Sequence, residues 1–244
     1  MRTVRFFCSQ LPAAGGEALL DPEESRHAMT VLRLRPGDRL ELLDGKGAIA
    51  QAELLEPAPE ARRRDPLHCR ILDRRQIPEP GRRLHLFIAP PKGRLMHQIV
   101  RDATELGAWS ITPVICRFSV SDPLGKDPET IWGADIAEAC KQSGNPFMPK
   151  LHPPQSFAAA LATAPLAGCF GAVPRVATAP PAPLPSGGDL AIWIGPEGGF
   201  SDEEHQALLD KGFVPLAASP WILRVETAVA AVLGSLQSTL PTPR

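Results

Sequence analysis

The sequence predicts two folded parts, a small β domain with one helix followed by a larger α/β domain with a mostly parallel, helix-covered sheet. Three observations carry this. The first eighty or so residues read as short strands around a strong turn signal, with one helix start among them. The stretch Ile77-Pro78-Glu79-Pro80-Gly81 then reads as a linker. Beyond it, short apolar runs alternate with amphipathic stretches, as strands and helices do in an α/β domain. The division is therefore drawn at residues 1–76 and 77–244.

In the first part, Val4–Cys8 is β-prone. Asp21, followed by Pro22 and an acidic first turn, marks a helix start, because a carboxylate there accepts free amides and proline fits the first turn. That helix is predicted to run to about Leu32. Arg39–Leu43 and Ala48–Leu55 are strand-like, and Asp44-Gly45-Lys46-Gly47 joins them as a hairpin. Leu67–Leu72 is a further strand.

In the second part, Leu84–Ala89 is the short apolar run expected of a strand buried on both faces. A helix follows from about Arg94 to Leu106, with Ile99, Ala103 and Leu106 on one face and Gly107 as its stop. Next come a strand at Ser110–Ile115 and a helix from Pro128 to Gln142, ended by Gly144. Strands are predicted at Ala167–Val173, Leu190–Ile194 and Phe213–Leu216, and helices at Asp202–Lys211 and Glu226–Gln237. Pro174–Asp189, rich in Pro and Ala, reads as a low-complexity loop.

With 43% hydrophobic and 22% charged residues, the composition is that of a soluble globular protein. No run approaches the roughly 18 apolar residues of a membrane helix. The opening residues are too charged for a signal peptide, so a cytoplasmic protein without a membrane partner is expected. The five cysteines are odd in number, scattered and never in a CxxC pair, which predicts reduced thiols. Neither they nor the six histidines show metal-ligand spacing, so no metal is expected. A net charge of −1 announces no nucleic-acid binder. Residues 1–83 nevertheless carry a balance of +2, against −3 for the rest. Their arginines cluster at Arg33, Arg35 and Arg39, at Arg62, Arg63 and Arg64, and at Arg74 and Arg75. Such clusters are either phosphate contacts or a solvated surface.

The most informative segment is Ile192-Trp193-Ile194-Gly195-Pro196-Glu197-Gly198-Gly199-Phe200, followed by Ser201 and Glu204. A buried strand ends there at a glycine-rich turn, and Ser201 with Glu204 forms a capping box that starts a helix. Ligands of open α/β sheets bind outside the carboxyl ends of the strands. The turn lacks the GxxxxGK[ST] pattern of a triphosphate cradle, and Glu197 suits a cationic group better than a phosphate. The alternative is a tight structural turn. A second segment, Ser219-Pro220-Trp221-Ile222-Leu223-Arg224-Val225-Glu226, enters a helix whose apolar face is Val229, Val232, Leu233 and Leu236. A third, Lys92-Gly93, places a lysine at the end of the first α/β strand.

These segments together resemble the RsmE-type methyltransferases of the SPOUT class, which methylate N3 of a uridine in bacterial small-subunit ribosomal RNA. The likeness begins with His27, Val31-Leu32-Arg33, Pro36-Gly37-Asp38 and Asp44–Gly47. It continues through Lys92-Gly93, Ala103–Gly107, Ile111-Thr112-Pro113, Glu138-Ala139 and Gln142-Ser143-Gly144. It ends with Ile194–Gly199, Ile222-Leu223-Arg224 and Glu226-Thr227-Ala228. The resemblance implies a PUA-like β-barrel before a SPOUT-type trefoil-knotted α/β domain. It implies S-adenosylmethionine as methyl donor, ribosomal RNA of the small subunit as partner, and pairing of two copies as a homodimer.

On that template Ile194, Gly195, Pro196, Glu197, Gly198, Gly199, Leu216, Ser219, Ile222 and Leu223 surround the cofactor. Arg224 and Glu226 carry the chemistry, Arg224 stabilising charge on the base and Glu226 fixing the arginine or the base. His27, Arg33, Lys92 and Arg117 contact RNA. The chain departs from the family pattern at Phe118, Asn145 and Trp221, where arginines are usual, and at Arg94 and His97, where acids are usual. Three readings predict otherwise: a non-catalytic RNA-binding or ribosome-assembly protein, a SPOUT enzyme acting on another RNA, and a small-molecule nucleotide enzyme without salt-dependent RNA affinity.

Overall fold

The computed structural model describes residues 3–57, 65–121, 127–171 and 184–238. The arginine run Arg62, Arg63 and Arg64, the end of the strand predicted to reach Val173, and most of the Pro174–Asp189 loop lie outside the described residues. The chain divides into two compact units, Met1–Glu79 with Cys140–Met148, and Pro80–Ala139 with Pro149–Arg244.

The first unit holds β1 (Arg5–Phe7), β2 (Glu17–Leu19), α1 (Pro22–Arg26), β3 (Arg39–Leu43), β4 (Ala48–Leu54) and β5 (His68–Gln76). They form a five-stranded sheet in the order β1-β3-β4-β5-β2, with β1 parallel to β3 and the other pairs antiparallel. Phe6, Leu20, Leu40, Leu42, Ala50 and Ile71 fill its core. The Asp44 side chain takes the amides of Lys46 (2.7 Å) and Ala48 (2.9 Å), which fixes the hairpin where the sequence placed it. Asp21 caps α1 by accepting the Glu24 amide at 2.8 Å.

The helix predicted to run to Leu32 is only half α-helical. His27–Val31 is π-wound, and the Leu32 amide reaches back to the His27 carbonyl at 3.1 Å. Arg33 then turns left-handed, with φ 56°, and the Leu34 amide closes on the Ala28 carbonyl at 3.0 Å. The segment Cys140–Met148 is tied within this unit. Lys141 Nζ pairs with Glu24 at 3.0 Å, and Arg5 donates to the Lys141 and Gln142 carbonyls at 3.1 Å.

The second unit holds β6 (Arg82–Ile88), α2 (Leu95–Glu105), β7 (Ala108–Ile115), α3 (Pro128–Ser143) as far as Ala139, β8 (Lys150–Leu151) and β9 (Gln155–Ser156). It continues with α4 (Phe157–Thr163), β10 (Ala167–Gly171), β11 (Gly188–Ile194), α5 (Asp202–Asp210), β12 (Val214–Leu216) and α6 (Val225–Gln237). Every strand pair is parallel, in the order β12-β10-β11-β6-β7-β8, and β9 pairs with β7 further along. One face carries Phe87, Ala191, Trp193 and Phe170 against Ala160 of α4 and Leu208 of α5. The alternate residues Leu84, Leu86, Leu190 and Ile192 are equally buried, and this two-sided burial explains the unbroken apolar runs of the sequence. α6 packs against α2 and β11. After β11 the chain thus passes β10 to reach the sheet edge at β12, then returns to α6. No helix among the described residues is long and apolar enough to cross a membrane.

Candidate active site

Gly171, Ile194 and Leu216 are the last residues of three adjacent parallel strands, β10, β11 and β12. All three line one cavity of about 790 Å³ outside the carboxyl ends of the sheet. This is where the strands' uncommitted backbone groups and the loops that follow them face a ligand.

One wall is the glycine-rich turn. The Gly199 amide closes on the Pro196 carbonyl at 2.8 Å, and Gly199 holds φ 76°, which a residue with a Cβ adopts at a cost. A Cβ on Gly198 would stand 3.1 Å from that of Phe118, and one on Gly195 would meet the Phe200 ring at 3.3 Å. The turn's two carboxylates brace neighbouring loops. Glu197 Oε1 accepts the Lys92 amide at 3.3 Å, holding the loop after β6. The buried Glu204 accepts the Ser201 amide (2.9 Å) as half of the predicted capping box, and the Arg117 amide (2.7 Å) in the loop after β7. The capping box was legible from the sequence, but the Arg117 contact was not, because it joins positions 87 apart in the chain.

The opposite wall is the loop from Leu216 into α6. Ser219 Oγ accepts the Trp221 amide at 3.1 Å, a local turn that sets the loop. Arg224 is the N-cap residue of α6 through its extended backbone and makes no side-chain cap bond. The Arg224 carbonyl accepts the Ala228 amide at 2.8 Å, but among the described residues neither the Arg224 nor the Glu226 side chain has a hydrogen-bond or ion-pair partner, so the suggestion that Glu226 fixes the arginine finds no ion pair here. Both side chains line the cavity.

Every residue expected around the cofactor, from Ile194 to Gly199 with Leu216, Ser219, Ile222 and Leu223, lines this same cavity. Pro91, Leu95, Gly171 and Val232 line it too and were not foreseen, since nothing in their local sequence marks them. Lys92 and Arg117 are exposed and sit on the two loops braced by Glu197 and Glu204. His27 and Arg33 belong to the first unit. His27 is half-buried, edge-on to Phe6 with ring centres 6.3 Å apart, and Arg33 is exposed. The described residues hold no group of three His, Cys, Asp or Glu that could bind a metal ion.

A parallel α/β unit with a ligand-sized cavity at its strand ends matches the family model for the RNA methyltransferase domain over residues 78–237. The model for the RNA methyltransferase PUA domain matches residues 20–61. The chain belongs to this RNA methyltransferase family. It is 29% identical to the ribosomal RNA small subunit methyltransferase E of Mycobacterium bovis, over 97% of this chain and 92% of that one. With the protein of the same description from Bacillus subtilis the identity is 28%, over 88% and 87%. Among solved structures, the ribosomal RNA small subunit methyltransferase E of Neisseria gonorrhoeae bound to S-adenosyl methionine is 26% identical. It superposes with a TM-score of 0.85 over 98% of both chains. A methyltransferase of Legionella pneumophila in complex with the same cofactor gives 28% and 0.78, again over 98% of both.

Proposed function

We propose that this chain transfers a methyl group from S-adenosylmethionine to N3 of a uridine in small-subunit (16S) ribosomal RNA. The observation that carries the reading is a cavity at the ends of β10, β11 and β12, lined by the glycine-rich turn, Arg224 and Glu226 together. Two relatives with bound S-adenosyl methionine share the fold over nearly the whole chain.

The residues present fit such a cofactor. Ile194, Leu216, Ile222 and Leu223 offer apolar walls, the glycines offer close backbone, and Glu197 offers negative charge to a cationic centre. S-adenosylmethionine, when bound, supplies an electrophilic methyl group. Uridine N3 carries a proton at neutral pH, so the protein must remove it and stabilise the anion left behind. The Arg224 guanidinium, always charged, stabilises negative charge on the neighbouring uracil carbonyl. Glu226 is the cavity's carboxylate without a protein partner, whereas Glu197 is occupied by Lys92, and so Glu226 is the group to take the N3 proton.

The same reading gives the first unit, with His27 and Arg33, and the loop cations Lys92 and Arg117 a role in holding RNA. It includes a homodimer and a trefoil knot in the second unit. The knot is supported by the passage of the chain past β10 to β12 and back to α6. The test is transfer of labelled methyl to small subunits lacking uridine N3 methylation, with the product mapped. Binding of subunits with no transfer at saturating cofactor would instead support a ribosome-assembly protein.

A further inference from the structure

Trp221 and Ile222 are 78% and 80% exposed, the most exposed large hydrophobic side chains among the described residues, and both line the cavity. A lone exposed hydrophobic residue needs no explanation. This pair differs because its loop is fixed and polar side chains share its wall of the cavity. The loop is set by the Ser219 hydroxyl on the Trp221 amide, and Pro220 restricts the backbone between them. Arg224 and Glu226 follow on the same wall. The other tryptophans are not available in this way, since Trp193 is 1% exposed, Trp132 5%, and Trp109 half-buried.

An open indole face beside an unpaired guanidinium and an unpaired carboxylate has the two features that bind a nucleobase. The flat face stacks on the ring, and the charged groups meet its hydrogen-bonding edge. A contact with a second protein copy would call instead for an unbroken apolar patch, and here Ser219, Arg224 and Glu226 interrupt the apolar lining around the two side chains. We propose that Trp221 is the stacking platform on which the acceptor base lies. This rests on the methyl-transfer reading above, and it makes Trp221 a substrate-binding residue that sets the affinity for RNA.

The test uses the full chain, Trp221→Ala and Trp221→Phe, small subunits lacking uridine N3 methylation, and a short uridine-containing oligonucleotide at one fixed salt concentration. The Ala variant is expected to raise KM for subunits about tenfold, the size of one lost base stack, with kcat changed less than threefold and cofactor affinity kept. The Phe variant keeps a ring and is expected to recover most of that KM. The oligonucleotide should quench tryptophan fluorescence of the wild type but not of Trp221→Phe. A KM for the Ala variant within twofold of wild type, or equal quenching in the Phe variant, would overturn the proposal. So would conversion of a sedimenting dimer to monomer by Trp221→Ala, which would assign the side chain to a contact between copies. If the wild type methylates nothing while quenching still requires Trp221, the stacking platform stands and the proposed reaction falls.

Discussion

Arg224 commits its backbone to the start of α6 and leaves its side chain in the cavity with no partner among the described residues. Function and stability should therefore separate cleanly at this position. Arg224→Ala is expected to lower kcat by roughly a hundredfold, about 3 kcal/mol of lost charge stabilisation. The melting temperature should barely move, since no cap bond is removed and exposed substitutions shift stability by about 0.5 kcal/mol or less. Full turnover in that variant would remove Arg224 from the chemistry. Glu226→Gln is expected to cost about a hundredfold in kcat through loss of the proton acceptor. An unaltered kcat would assign the proton to water.

At the scale of elements, strand β10 approaches β11 so closely that a Cβ on Gly168 would stand 1.9 Å from the Ala191 carbonyl oxygen. Gly168 also holds φ 154°. Gly168→Ala should destabilise the protein by about 3 kcal/mol, measurable by denaturant titration, because overpacking and backbone strain add. A loss under 1 kcal/mol would mean that the strands can part. Elements with strong periodicity or caps were legible from the sequence. The hairpin at Asp44–Gly47, α2 before Gly107, α5 behind Ser201 and α6 all stand within two residues of their predicted bounds. What escaped was short or carried no pattern. β2, β8 and β9 have three residues or fewer, and α4 has seven, mostly Ala. β5 continues through the polar Asp73-Arg74-Arg75, held by pairing with β4 across a bulge at Gln51/Ala52 rather than by apolar alternation. The π-winding of His27–Val31 is a choice between adjacent carbonyl partners that no residue type announces. The cavity walls were legible because glycines and charges mark them, whereas Pro91, Leu95 and Gly171 reach the cavity only through the fold.

At the scale of the molecule, all five thiols are free and buried, as the scattered cysteines predict. Burial pushes Cys69, Cys116, Cys140 and Cys169 up from 9.0 to about 12. A thiol raised on folding lends stability that is complete below its unfolded value and is lost as pH climbs toward the folded one. Unfolding free energy should therefore fall between pH 9 and about 12, while near neutrality a thiol reagent should leave the native chain unlabelled. The chain has no tyrosine, so thiolate absorbance can follow this without phenolate overlap. Flat stability across that range would mean that the thiols are less enclosed than the packing indicates. Incubating the protein with labelled S-adenosylmethionine and small subunits lacking uridine N3 methylation shows whether one cavity brings methyl donor and uridine N3 together. One labelled uridine, blocked at its pairing edge, is expected, with labelling roughly a hundredfold slower for Arg224→Ala. Label on another base or another RNA, or none while the cofactor binds, would contradict it.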